Sequence, residues 1–228
     1  MRVVRESRDI LSISHLKLAE HRIGVVGRNG SGKSTFARVL CGLIAPDSGT
    51  VHVGGTDMIR DRKRAITEIG ILFQNPDHQI IFPTVAEEIG FGLAQLGHRK
   101  ADARTGAQSV LERFGKRHWE DRAIHTLSQG QRHLVCLMAV LVMSPKMIVL
   151  DEPFAGLDIP TTAALNRYLA GLDQQIVHIT HDPDTLADYD RVLWLEGGLI
   201  QMDGPAETVL PAFTQRMEAI DDLSDLTD

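Results

Sequence analysis

A long hydrophobic run is the first thing this chain lacks. Its longest apolar stretch, LVCLMAVLVM at 134–143, has about half the ~20 residues that a bilayer-spanning helix needs. The opening residues MRVVRESRDI do not have the pattern of a secretory leader, so none is expected. Cysteine is scarce, with only Cys41 and Cys136, far apart in apolar helical patterns. That excludes a disulfide framework and predicts buried thiols in a reducing compartment. Aromatic residues make up only 5 %, and none precedes Phe36. There is no repeat, low-complexity segment or Gly/Pro-rich linker. A basic excess is also missing: the net charge of −6 argues against bulk attraction to nucleic acid. The charge is uneven, though. Residues 97–133 carry eight Lys/Arg against four Asp/Glu, and 218–228 hold five acids and no base. The first could be a charged surface or face anionic lipid or a partner; the second reads as a solvated end.

What is present is one α/β domain of 228 residues. Short β-rich runs occur at LSISHLKL, RIGVV, TVHVGG, IGILF, MIVL, QIVHIT and RVLWL, and helices are expected at 33–44, 160–172 and 183–189. Strands alternating with helices predict a mainly parallel sheet. From 83 to about 145 no strand is convincing, which predicts an inserted helical lobe opened by a Thr84-x-x-Glu87 capping box. An acidic tail is expected over about 214–228.

RIGVVGRNGSGKST is a strand running into Gly27-x-x-x-x-Gly32-Lys33-Ser34 and then a helix, the context a phosphate-binding loop requires. Glycines let backbone N–H groups wrap phosphates, Lys33 supplies a point charge, and Ser34 a hydroxyl for Mg²⁺. KMIVLDEP is an apolar strand ending in Asp151 and Glu152. Neighbouring strand residues point to opposite faces, so Asp151 can serve Mg²⁺ while Glu152 acts as general base on a water. TLSQGQRH places Ser128 three residues before Gln131. That is a capping box on its own, and its position about twenty residues ahead of VLDEP makes it more. His178 and His181 fall on opposite faces of a strand, so they do not form a metal pair. Asp182-Pro183 reads as a helix cap, and Met138, Met143 and Met147 as core.

Together these motifs resemble the ABC-type ATPase family over about 10–213. The resemblance implies a P-loop NTPase fold: a RecA-like, mainly parallel sheet with an N-terminal antiparallel β part and an inserted α-helical subdomain. It implies ATP and Mg²⁺, held by the loop residues Gly27, Arg28, Asn29, Gly30, Ser31, Gly32, Lys33, Ser34 and Thr35. Asp151, Ser34 and Gln74 would hold the metal, with Glu152, His181 and Gln74 catalytic. Two copies would meet head to tail, so that Ser128, Gly130 and Gln131 of one chain reach the γ-phosphate bound by the other, with Asp158 between the two sites. Two departures stand out. The family's adenine-stacking aromatic near the N-terminus is missing, leaving Arg5 or His15 to stack and weakening discrimination of ATP from GTP. Gln129 stands where the signature usually has glycine.

FQNPDHQIIFPT at 73–84 resembles the segment after the Q-loop in ATPases of energy-coupling factor (ECF) importers. That likeness implies docking of a transmembrane coupling subunit at Asp77, Gln79 and Ile80. Ile81 would fill a pocket beside them, and Phe82 would be the core residue. A substrate-binding membrane subunit would share the complex, at the cytoplasmic face of the cell membrane. Within that group the chain is most similar to ATPase subunits of biotin importers. The alternatives are a cobalt or nickel importer of the same type, or a soluble ABC-type ATPase working on nucleic acid or ribosomes.

Overall fold

The computed structural model describes residues 1–154 and 156–219. The chain opens as an antiparallel hairpin, β1 (Arg2–Arg5) against β2 (Arg8–Ser12). Glu6 and Ser7 turn it with φ of 48° and 65°. Then follow β3 (Arg22–Val26) and α1 (Lys33–Leu40), a small hairpin of β4 (His52–Val53) and β5 (Thr56–Asp57), α2 (Arg62–Glu68) and β6 (Ile69–Leu72). A 3₁₀ turn at Pro76–His78 leads to α3 (Val85–Gln95), α4 (Lys100–Arg113) and α5 (Gln129–Leu141). The chain returns through β7 (Met147–Asp151), α6 (Ile159–Ala170), β8 (Gln175–Ile179), β9 (Arg191–Glu196), β10 (Leu199–Gly204) and α7 (Ala206–Glu218).

The main sheet has the order β10-β9-β3-β8-β7-β6. All its pairings are parallel except the edge pair β10–β9. Apolar residues on both faces explain the interior positions of β3 and β7: every residue of β7 is buried, as are Ile23 to Val26 of β3, the pattern of strands covered by helices on both sides. One core joins the sheet to α1 and the N-terminal hairpin. A second lies under α5 and α6, and a third is formed by α3, α4 and α5 around Val85, Leu111 and Met138.

Several local expectations shift. The strand expected over 11–18 ends at Ser12, because Ser12 N–H bonds to Gly198 O and Ile13 N–H to Met1 O rather than to one partner strand. The helix expected at 183–189 is a 3₁₀ turn, Pro183–Leu186, since the chain must enter β9 at Arg191. α1 stops at Leu40 because Gly42 takes φ 70°, where a Cβ would lie 2.3 Å from Met58 O. At the start of α3 the capping box does not form. Val85 and Ala86 N–H donate to Arg122 O and Glu120 O, which satisfies two of the orphan donors of that helix end. The Thr84 hydroxyl donates to Glu87 Oε2 at 2.5 Å instead. The tail expected at 214–228 begins inside α7, anchored by Val209, Phe213 and Met217, and 220–228 lie outside the described residues. Four of the eight basic residues of 97–133 are neutralised by ion pairs: Arg99 to Asp102, Arg104 to Glu120 and Asp121, Arg117 to Glu112 and Glu120, and Arg132 to Asp77.

Candidate functional site

β3 delivers the loop 27–32 to the C-terminal edge of the parallel sheet, where helices begin and strands end. Two glycines there are sterically required. A Cβ on Gly27 would meet Leu195 O at 2.2 Å, and one on Gly32, at φ 102°, would meet Ile10 O at 2.9 Å. Lys33, the first residue of α1, is buried and donates from Nζ to Gly27 O at 2.6 Å and Arg28 O at 2.9 Å. Burial pushes its pKa down, opposed by the charges of Glu152 and Asp151. Ser31 Oγ is buried without a partner. A buried ammonium, an unpartnered hydroxyl and a loop kept free of side chains suit a polyphosphate anion.

β7 ends in Asp151, which is buried with the Ser34 hydroxyl near its carboxylate. Burial raises its pKa, and the neighbouring Glu152 charge adds to the rise. Glu152 holds φ 52°, a left-handed backbone that costs a non-glycine residue about 1–3 kcal/mol. Its surroundings over-determine that conformation. Glu152 N–H donates to Ile179 O at 2.9 Å, Thr180 Oγ1 donates to Oε2 at 3.2 Å, and His181 Nδ1 donates to Oε1 at 2.8 Å. Thr180 also accepts from Asp182 N–H at 3.0 Å. It thus fixes both the acid and the turn that carries His181, a part the sequence reading missed; its place directly before His181 was the available signal. His178, expected on the face opposite His181, is a core residue. Its Nδ1 meets Tyr189 OH at 3.0 Å, and burial pushes its pKa down to about 3. His181 lies beyond the strand, with its side chain 68 % exposed.

Gly27 to Ser31, His181 and Glu196 line one cavity of about 1020 Å³. Ser128, Gly130, Gln131 and Asp158 line another, of about 860 Å³, together with Arg113, Lys116 and Tyr168. The two share no lining residue. Ser128 and Gln131 form the reciprocal capping box of α5: Ser128 Oγ accepts from Gln131 N–H at 3.3 Å, and Gln131 Oε1 from Ser128 N–H at 3.1 Å. Asp158 caps α6 by accepting from Thr161 N–H at 2.8 Å. Gln129 fits because it lies against Gly156, where a Cβ would be 3.3 Å from its amide. Gln74 is exposed and lines neither cavity.

Thus one face carries a phosphate-type loop with two strand-end acids, and another carries a capped helix start at the expected spacing. The ABC transporter family profile matches residues 13–155. This chain belongs to the ABC transporter family. It is 50 % identical over 216 residues, 95 % of the chain and 92 % of the relative, to the "Biotin transport ATP-binding protein BioM" of Rhodobacter capsulatus. It is 40 % identical over 88 % of the chain and 89 % of the relative to the protein of the same name from Rhizobium etli. Among solved structures it is similar to cbiO1 of Clostridium perfringens, described as part of the ABC transporter complex cbiONQ. That likeness has a TM-score of 0.76 and 27 % identity, covering 96 % of this chain and 90 % of that one. The chain is therefore an ABC transporter ATPase with the P-loop fold. Among the described residues no helix is long and apolar enough to cross a membrane.

In this ABC ATPase the segment 73–84 is tied down from inside. Gln79, expected to face a partner, accepts from Phe73 N–H at 3.2 Å through Oε1. Buried Glu88 of α3 accepts from Ile81 N–H at 2.9 Å and Phe82 N–H at 2.8 Å. Ile80 is half-buried: it packs onto the cores of both lobes and also lines a cavity of about 310 Å³ with Asp77, Phe82 and Arg132. Phe82 packs against Phe91 with centroids 4.9 Å apart and the rings tilted by 46°. Ile81 is the outward residue, 68 % exposed, and borders a cleft between the lobes with Leu43, Ile66, Phe91 and Met143. Asp77 pairs with the chain's own Arg132 at 3.2 Å. Of the two candidates for base stacking, His15 is misplaced. It lines a cavity with Met147 and Gln175, at the starting ends of β7 and β8, opposite the phosphate loop. Arg5 lies in the β1–β2 hairpin, donates to Val4 O and is 3.7 Å from Asp47.

Proposed function

We propose that the chain is the ATP-hydrolysing subunit of an ECF-type importer of biotin, working as a head-to-tail pair. One observation carries the paired site: Ser128, Gly130 and Asp158 do not share a cavity with the phosphate loop of their own chain, so they act on a triphosphate held by a second copy. The cargo rests on the likeness to the Rhodobacter capsulatus biotin transport protein.

Within each composite pocket the loop 27–35 wraps the phosphates, and Lys33 exchanges its two carbonyl contacts for β- and γ-phosphate oxygens. Asp151 and Ser34, with Gln74, would hold Mg²⁺, which when bound offsets charge on the phosphate oxygens. Donors from the second copy's Ser128 and Gly130 stabilise the γ-phosphate once pairing excludes water. Glu152, released when His181 turns its N–H to the γ-phosphate, orients a water and takes its proton. The water oxygen attacks the γ-phosphorus, and the bond to the β–γ bridging oxygen breaks with its electron pair leaving on ADP. Loss of the γ-phosphate removes the contact that held the two copies, and the pair reopens.

The transmembrane coupling subunit docks over 74–82. Asp77 and Ile81 present outward, Gln79 and Ile80 hold the turn's shape, and a substrate-binding membrane subunit completes the complex. The test is biotin uptake by cells carrying the importer with wild-type chain or Glu152→Gln, alongside phosphate release by each purified chain. Loss of both in Glu152→Gln is expected. Uptake untouched by the substitution overturns the reading. Uptake of a different solute with the same Glu152 dependence overturns only the cargo.

A further inference from the structure

Arg132 is the residue after the signature, in the first turns of α5, and its guanidinium makes an ion pair on one side, without hydrogen-bond geometry at Nε, and a hydrogen bond on the other. Nε lies 3.2 Å from Asp77 Oδ1 on the 3₁₀ turn, and Nη1 donates to Leu127 O at 3.2 Å, the carbonyl directly before Ser128. One helical turn on, and so on the same face of α5, Cys136 Sγ donates to Pro76 O at 3.9 Å. The turn Pro76–His78 is therefore fixed to the signature helix at two successive levels. Its outer member, Asp77, has a side chain 61 % exposed, whereas that of Arg132 is 25 % exposed. A basic group arriving from outside meets Asp77 first and competes with Arg132 for the carboxylate.

We infer that Arg132 is a positioning residue that ties the docking turn to Ser128 and Gly130, so that what happens at Asp77 is delivered to the groups that close on the partner copy's γ-phosphate. This rests on the proposed function above. The chemistry suits arginine. A rigid planar guanidinium sets one edge against a carboxylate while another donates to a carbonyl, which a lysine ammonium at the end of a flexible stem does not hold together. Coupling of this kind is reciprocal: ATP-driven closure on Ser128 also changes the hold on Asp77, and with it the face offered to a docking subunit. An ordinary exposed ion pair adds little to stability and has no reason to touch turnover.

The test is steady-state phosphate release by the purified full chain with ATP and Mg²⁺, at a chain concentration where wild type is saturated for pairing. The variants are Arg132→Gln, Asp77→Asn, their combination and Arg132→Lys, each with its melting temperature. Each single loss is expected to lower kcat about fivefold with KM for ATP within about twofold, the range coupling residues show. The combination should fall no further than the worse single variant, because both break one connection. Arg132→Lys, keeping the pair with Asp77 but not the second arm, should fall in between, with all melting temperatures within about 2 °C of wild type. Wild-type kcat in both single variants, or losses that multiply in the combination, overturns the inference. A wild-type chain that releases no phosphate is a different failure, that of the ATPase reading itself.

Discussion

The phosphate-loop face and the signature cleft are built by opposite means. On the first, charged groups are held by their own chain: Lys33 on two carbonyls, and Glu152 on Thr180 and His181. Burial there shifts protonation, down at Lys33 and up at Asp151. In the signature cleft the polar groups serve as helix caps, Ser128 on α5 and Asp158 on α6. A cap leaves the helix N-terminus aimed outward with its partial positive charge available. One half is thus a preassembled reaction centre, and the other is a rigid presenting surface whose ligand comes with a second chain.

Substitutions on the two halves should separate accordingly. The largest effect belongs to Glu152→Gln, expected to lower kcat by about 10³-fold while ATP-driven pairing survives; sedimentation with ATP reads the second part. Ser128→Arg should cost about a hundredfold in hydrolysis by blocking the facing γ-phosphate. Binding of a fluorescent ATP analogue to the unpaired chain should stay within about twofold, since Ser128 is not in that chain's own pocket. A large loss of binding in the lone chain would erase the distinction between the halves.

Asp151→Asn sharpens it on the stability side. Burial raises the folded-state pKa of Asp151 above its unfolded value, so the folded chain binds that proton more tightly. Stability is therefore lost as pH climbs from the ordinary carboxylate value, about 3.9, through the raised one. At pH 7 the asparagine variant should melt about 2–4 °C higher than wild type while losing Mg²⁺-dependent turnover, and the difference should shrink towards pH 4. The smallest effect concerns the base. With His15 at the far end of the sheet and no aromatic before Phe36, kcat/KM for GTP should lie within about fivefold of that for ATP, because one aromatic stack contributes about 0.5–1.5 kcal/mol. A strong ATP preference would show that another group grips adenine.

What could be read in the chain without coordinates follows the same division. The Lys33 contacts and the Ser128–Gln131 box lie within a few residues, so their spacing carried them, whereas the β7 acids were marked by the apolar strand before them and their partners Thr180 and His181 lie far along the chain. The edge strands β1 and β10 escaped notice because LIQMDG alternates exposed and half-buried residues at a sheet edge, with no apolar run to mark it. The α3 capping box failed because carbonyls of 120 and 122, far along the chain, took its place. In 73–84 the residue types were informative and their directions were not. Whether Gln79 or Ile80 faces in or out depends on Phe73 N–H and on the two cores beneath, and Arg132 gave no hint that Asp77 would be its partner. Tertiary acceptors decide such cases, and local pattern does not contain them.

The measurement that bears most directly on the composite pocket is the initial ATP hydrolysis rate per chain as the chain is diluted, with sedimentation run in parallel. If each pocket needs two copies, the rate per chain falls in proportion to concentration once pairs dissociate, and it vanishes where only the 25.2 kDa species remains. A rate per chain that stays constant through that range, with every molecule a monomer, contradicts the account.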